Sequence, residues 1–409
     1  MHNTRTLYLL LIITLIFSYS CKEQKNIYSV NKNKSKAKAD STYVSLSELD
    51  RNIQANPDNP ELYFARGKFQ DDNKNFKAAI ADYSKAIELN PKYTHAYNNR
   101  GKSEYELGDK SAAEADYNKA IQYDTKFPEP YYNRAIIYIN DKNYKKALED
   151  LNKALQLNPK FIEAYYHRGK IKAESGDNTG ALADFDLAIS VNPVFQPIYL
   201  YRAGLKKRLN DLQGSIYDMD VLIKLNPKDP IFYNFRGNLK LTINDLKNAV
   251  TDFDFAIRLN ARYDTAYFNR ALARVMLSDT NGAINDYNSV VQLNPKYYEA
   301  YFNRANLKIT RNDFDAALAD YNKAIEVKPD FAAAFINRGG IKYMKKDYNG
   351  ALTELNKALQ LDPNNATALV QRGLTKVNLK DKKGAKADFT LADKLGFKGA
   401  AGLIKQYCQ

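Results

Sequence analysis

The sequence predicts an all-α fold, an α-solenoid of about ten 34-residue helix-turn-helix units with a capping helix at each end. Three observations predict it. Ten arginines (Arg66, Arg100, Arg134, Arg168, Arg202, Arg236, Arg270, Arg304, Arg338 and Arg372) stand 34 residues apart without insertion or deletion. Aromatic, small and acidic residues recur around each of them in fixed phase, and proline keeps to the junctions. A unit of this length cannot bury its apolar face alone, so the units must stack.

The first helix of each unit is marked by an aromatic three residues before the arginine, Tyr63 through Phe335, replaced only by Leu369 in the last unit. A small residue follows the arginine, such as Gly67, Ala135 or Gly373. That spacing lays a large ring beside a position where another backbone can come close. Nine residues after every arginine comes Asn or Asp, from Asn75 to Asp381, a residue type that accepts bonds from free amides at a helix start. The second helix then carries Ala79, Ala113 and their equivalents, with a large apolar residue four positions on, such as Tyr83 or Phe185. Proline costs about 3 kcal/mol inside a helix. Eight of the thirteen prolines lie 25 residues after an arginine frame position, and the other five open a first helix.

The units run over 60–399, beginning at 60, 94, 128, 162, 196, 230, 264, 298, 332 and 366. Residues 44–59 are expected to hold an N-terminal capping helix and 400–409 a C-terminal one, covering apolar faces that would otherwise meet water. The unit 94–127, THAYNNRGKSEYELGDKSAAEADYNKAIQYDTKF, resembles a tetratricopeptide repeat. The resemblance covers all ten units and implies a right-handed superhelix that binds protein partners on its hollow side.

Ahead of the repeats stand Arg5, an apolar run from Leu7 to Phe17, and Ser20-Cys21. Such a run suits a signal-peptide core and falls short of the ~20 residues of a membrane span. Residues 1–20 resemble a bacterial lipoprotein signal, which implies lipidation of Cys21 and attachment to the outer membrane, on its periplasmic or surface face. Ordinary cleavage, giving a soluble periplasmic or secreted protein, and an uncleaved anchor are the alternatives. Residues 21–43, rich in Lys, Asn and Ser, are expected to be a flexible basic tether.

The formal charge is +14, of which Arg5 carries one and residues 21–43 a net four. The nine left on the repeats and their caps make a mildly basic surface without the clustering that nucleic acid requires, so none is expected as partner. Two cysteines and three histidines at scattered positions offer no metal-ligand spacing. No metal or cofactor is expected. Signal, tether, repeats and caps leave no stretch for a catalytic domain, so the expected role is non-enzymatic.

A carboxylate follows each arginine by 16 residues, Asp82 through Asp388 with Glu354 in the ninth unit. A half-desolvated guanidinium needs such a partner, which predicts a ladder of pairs between first and second helices. Binding should then use positions flanking the arginine that face the hollow. Just before it stand Asn99, Asn133, Asn269, Asn303 and Asn337, interrupted by His167, Tyr201 and Phe235. A row of amides can hold an extended peptide backbone, and in some tetratricopeptide proteins asparagines at this place do so. Lys68, Lys102 and Lys170 are each followed four residues on by an acid that should neutralise them. In units seven to ten the same surface gives Phe268, Leu272, Phe302 and Ile336, rimmed by Asn306 and the asparagines. This is either packing between repeats or an open apolar groove for a peptide or partner helix. The sequence therefore reads as an envelope scaffold binding a peptide or partner protein, with a glycan or peptidoglycan ligand as the alternative.

Overall fold

The computed structural model describes residues 45–408. The signal peptide, Cys21 and the tether lie outside them. The described residues form helices and turns with no strand.

The chain divides into two compact units, one ending at Leu225 and the other beginning at Asn226. The first contains α1 (Leu46–Ala55), α2 (Pro60–Asp72), α3 (Phe76–Leu89), α4 (Thr94–Glu106), α5 (Lys110–Tyr123), α6 (Pro128–Asn140), α7 (Tyr144–Leu157), α8 (Ile162–Glu174), α9 (Asn178–Val191), α10 (Gln196–Arg208) and α11 (Leu212–Leu225). The second contains α12 (Pro230–Thr242), α13 (Leu246–Leu259), α14 (Asp264–Met276), α15 (Thr280–Leu293), α16 (Tyr298–Thr310), α17 (Phe314–Val327), α18 (Ala332–Met344), α19 (Tyr348–Leu361), α20 (Ala366–Asn378), α21 (Lys382–Lys394) and α22 (Ala400–Tyr407). Each repeat is one antiparallel helical pair, and within each unit successive pairs stack.

The pairs are closed by a turn whose chemistry is local. The residue eight after each arginine takes the left-handed conformation, as Gly108 and Gly176 do and, at greater steric cost, Lys74, Lys142, Asn210 and Lys346. That reversal lets the next amide bond back into the first helix, as Asp109 N does to the Glu104 carbonyl at 3.0 Å. The same Asp then caps the second helix by accepting from Ala112 N at 3.0 Å. Asn75 and Asp245 make no such side-chain cap.

The core runs between the paired helices. The alanines and large side chains of the second-helix stripe are buried, Ala79 with Tyr83 and Ala181 with Phe185 among them. At the small position after the arginine the packing is tight. A Cβ on Gly169 would meet Phe185 at 2.6 Å, so glycine there admits the ring. Capping follows the same logic at both ends. Leu49 and Ile53 of α1 are buried, and Leu403, Ile404, Tyr407 and Cys408 pack on the cluster around Leu374 and Phe389. Cys408 is thus part of the terminal packing.

Candidate functional site

The arginine ladder is present and more extensive than pairing alone. Arg168 donates from Nε and Nη2 to both oxygens of Asp184, at 2.9 and 2.6 Å, which joins the two helices of one repeat. Its third nitrogen, Nη1, reaches back 16 residues to Asn152 of the preceding second helix at 2.8 Å. The ring of Tyr165 lies 5.5 Å from the guanidinium carbon. One side chain thereby ties three helices. Its equivalents do the same with Ser84, Asn118, Asp254, Asn288, Asn322 and Asn356 as the backward partner. In the first repeat Arg66 uses Asp50 of α1 at 2.7 Å, so the capping helix substitutes for a missing second helix.

From the fourth repeat onward a second cation joins the carboxylate, as Lys172 does to Asp184 at 2.9 Å and Lys308 to Asp320 at 2.8 Å. The first three repeats put Gln70, Glu104 and Tyr138 there instead. Burial, followed by the charge of Asp116, pushes Glu104 up to about 7. In the ninth repeat the longer Glu354 accepts from Nη2 of Arg338 and from Lys342, and Arg338 Nε is left buried without a partner. With its donors committed inside the fold, the arginine row is a brace.

The expected asparagine row is largely consumed in the same way. Asn337 is fully buried and donates to Asn306 at 2.9 Å and to the Tyr321 hydroxyl at 3.2 Å. That hydroxyl donates in turn to Asn306 at 2.5 Å. Asn269 is buried and donates to Asn234 at 3.0 Å. Asn133 donates to Asn98 at 2.9 Å, and Asn98 to its neighbour Asn99 at 3.2 Å. An amide before one arginine thus bonds a side chain of the preceding first helix, because neighbouring repeats pack too closely for solvent to serve it. Asn303 is half-buried against Tyr287.

The apolar groove is corrected likewise. Phe302 and Ile336 are buried at 1% and 0% exposure, together with Tyr343, Val370 and Leu374. Phe302 is held between Tyr321 and Phe331, with centroids at 5.7 and 4.9 Å, so it is packing between repeats. Phe268 and Leu272 are half-buried, and Phe268 packs edge-on against Tyr287 and tilted against Tyr297. Asn269, Phe302, Asn306, Ile336 and Asn337 therefore leave the set of solvent-facing candidates.

The within-helix pairing of lysines is also corrected. Among the described residues Lys102 lies nearest Asp71 of the preceding repeat, at 3.8 Å, rather than Glu106. Lys170 lies over two aromatic rings, Tyr166 at 5.4 Å and Tyr201 at 5.5 Å, and among the described residues makes no ion pair. Around Lys170 gather Tyr132, Tyr166, His167 and Tyr201, all half-buried on the first helices of repeats three to five. Two members, His167 and Tyr201, were signalled in the sequence as breaks in the asparagine series, whereas Tyr132 and Tyr166 stand where Phe64, Phe268 and Phe302 stand in other repeats. Among the described residues no group of three or more His, Cys, Asp or Glu could hold a metal ion, and no helix is long and apolar enough to cross a membrane.

Models of the tetratricopeptide repeat match residues 72–108, 94–127, 128–161, 162–195 and 302–366. No curated protein matches the chain. Among solved structures, a tetratricopeptide repeat protein from Parabacteroides merdae is 20% identical over 60% of this chain and 97% of its own, with a TM-score of 0.45. Yeast Tom70 is 19% identical over 88% of this chain and 89% of its own, with a TM-score of 0.39. YrrB, described as a TPR protein with an unusual peptide-binding site, is 25% identical over 45% of this chain and 95% of its own, with a TM-score of 0.40. The phased arginines, the helical pairs and the matched segments together establish that the chain carries tetratricopeptide repeats and is an all-α solenoid built from them.

Proposed function

We propose that the protein is a non-enzymatic scaffold of the bacterial cell envelope that binds a peptide or partner protein on the first-helix surface of its repeats. One observation carries the reading. The period-keeping polar residues are satisfied inside the fold, whereas Tyr132, Tyr166, His167, Lys170 and Tyr201 on the first helices of repeats three to five are half-buried, with Lys170 lying over two of the rings. Lipid on Cys21 would fix the protein to the outer membrane and residues 22–43 would give it reach. Positioning is then the mechanism, since a partner held near a membrane meets its targets at raised effective concentration.

Two measurements test this. Intact-mass analysis of the N-terminus after purification from native membranes should show acylated Cys21, and an unmodified N-terminus would end the anchoring argument. An array of extended peptides of acidic, neutral and basic composition should yield binders to the full chain. Binding to peptidoglycan or oligosaccharides with no peptide bound would replace the scaffold reading by the glycan one.

A further inference from the structure

The positive charge expected to be spread over the repeats gathers at the tenth repeat and its cap. Residues 366–409 hold nine Lys and Arg against three Asp, a net six of the nine charges left on repeats and caps. Arg372 and Lys376 are committed to Asp388, at 2.6 and 2.8 Å. Lys380, Lys383, Lys386, Lys394, Lys398 and Lys405 are exposed and make no ion pair among the described residues. Of the other two acids, Asp381 accepts from Gly384 N at 2.8 Å and Asp393 is exposed. The helices packed against α21 are α20 and α22, and neither carries an acid.

On other second helices the outer lysine is neutralised by an acid three residues on. Lys85 pairs with Glu88 at 2.6 Å and Lys323 with Glu326 at 2.7 Å. The same two places on α21 hold Leu391 and Lys394, so the pair gives way to an apolar side chain and a cation. Lys383, Ala387, Leu391, Lys394 and Leu395 follow one another at helical spacing and are all exposed, Leu391 at 41% and Leu395 at 40%. They form one solvent-facing stripe that is both apolar and basic.

We propose that this stripe of α21 lies on an anionic lipid surface, with Leu391 and Leu395 entering the headgroup region and Lys383, Lys386, Lys394 and Lys398 meeting lipid phosphates. This goes beyond the scaffold reading and does not depend on lipid at Cys21. Residue type favours a bilayer over a protein partner. Protein interfaces enrich aromatic residues and Arg and are depleted in Lys, and the exposed residues of α21 include neither an aromatic nor an arginine. A fixed carboxylate is best met by the planar fork of Arg. The mobile phosphates of a bilayer suit point charges on flexible stems, which can extend past the leucines while their methylenes stay on apolar surface. A helix with such a face lies in the plane of the interface, and α21 is neither long nor apolar enough to cross it.

The test footprints the lysines of the full chain by brief acetylation and mass spectrometry, with vesicles of phosphatidylcholine alone or of phosphatidylcholine mixed with phosphatidylglycerol. Lys77, exposed on α3, is the internal reference. Relative to it, Lys383, Lys386, Lys394 and Lys398 are expected to react about five-fold more slowly on the mixed vesicles, the factor one lysine contributes at an anionic surface, and at an unchanged rate on the neutral ones. Raised salt should remove the protection. Leu391→Gln combined with Leu395→Gln should weaken it without loss of helical circular dichroism, because both side chains already meet solvent. No difference between the two vesicles, equal protection of Lys77, or undiminished protection in the leucine variant overturns the proposal. Protection by soluble polyglutamate but not by the mixed vesicles would assign these lysines to an acidic protein, and overturns it too. Each of these results leaves peptide binding and Cys21 acylation to their own measurements.

Discussion

Removing an arginine from the ladder should cost most where its carboxylate has no second cation, and Arg134 and Arg168 make that comparison. Arg134→Ala takes both bonds, at 2.8 and 2.7 Å, from Asp150, which has 9% of its side chain exposed and Tyr138 in place of a neighbouring lysine. Stripping one partner from a buried pair costs about 3–5 kcal/mol, because the remaining charge is left without compensation. Arg168→Ala strips Asp184, which is less exposed at 2% yet keeps Lys172 at 2.9 Å. Its loss should be smaller, about 2–3 kcal/mol, with burial and the second cation opposing each other and the cation prevailing. Urea denaturation followed by helical circular dichroism gives both numbers, and Arg134→Lys should recover only part of the loss because an ammonium cannot form the fork. Losses under about 0.5 kcal/mol in both variants would refute the brace. So would a larger loss at Arg168 than at Arg134.

Other consequences follow from single sites. Glu104 binds its proton more tightly folded than unfolded, since burial and Asp116 raise it to about 7. Stability should therefore fall as pH rises from about 4.5 to 7 and level off above that. Glu104→Gln should remove this slope, raising the urea midpoint at pH 8 by about 1 kcal/mol equivalent after allowance for solvent screening, and leaving pH 4 nearly unchanged. Asn337→Ala leaves Asn306 and Tyr321 short of a buried partner and should cost about 1–3 kcal/mol while peptide affinity holds; lost affinity at unchanged stability would restore it to the binding site. Gly169→Ala should destabilise by about 1–2 kcal/mol despite its better helix propensity, because the added methyl meets Phe185, and a stabilised variant would contradict that packing.

Much of this fold was legible in the sequence because each unit repeats its local signals in phase. Asp109 and Asp381 at second-helix starts, the arginine with its acid 16 residues on, and the junction prolines all point to the same helical pair. The backward bond of each arginine to the previous repeat was not legible, since its partner varies among Ser84, Asn118 and Asp254. Asn269, Asn306 and Asn337 were expected at the surface and lie inside the fold for a related reason. An asparagine recurring before the arginine satisfies the pattern for backbone recognition and for a bond between repeats equally well. Only the burial of Asn269 and Asn337 separates the two. Phe302 and Ile336 failed similarly, because helical spacing does not tell a groove from a seam. Lys170 was masked by Glu174, whose i,i+4 spacing suggested a pair, whereas the ammonium lies over the rings of Tyr166 and Tyr201.

The central claim is that the arginine ladder and the buried asparagines hold the fold, and that the half-buried first-helix residues of repeats three to five hold the ligand. Hydrogen–deuterium exchange of the full chain, with and without a saturating peptide binder from the array, tests it directly. Protection confined to α6, α8 and α10, the first helices that carry Tyr132, Tyr166, His167, Lys170 and Tyr201, is the predicted result. Protection centred on α14, α16 and α18, which carry Asn269, Asn303 and Asn337, would contradict it.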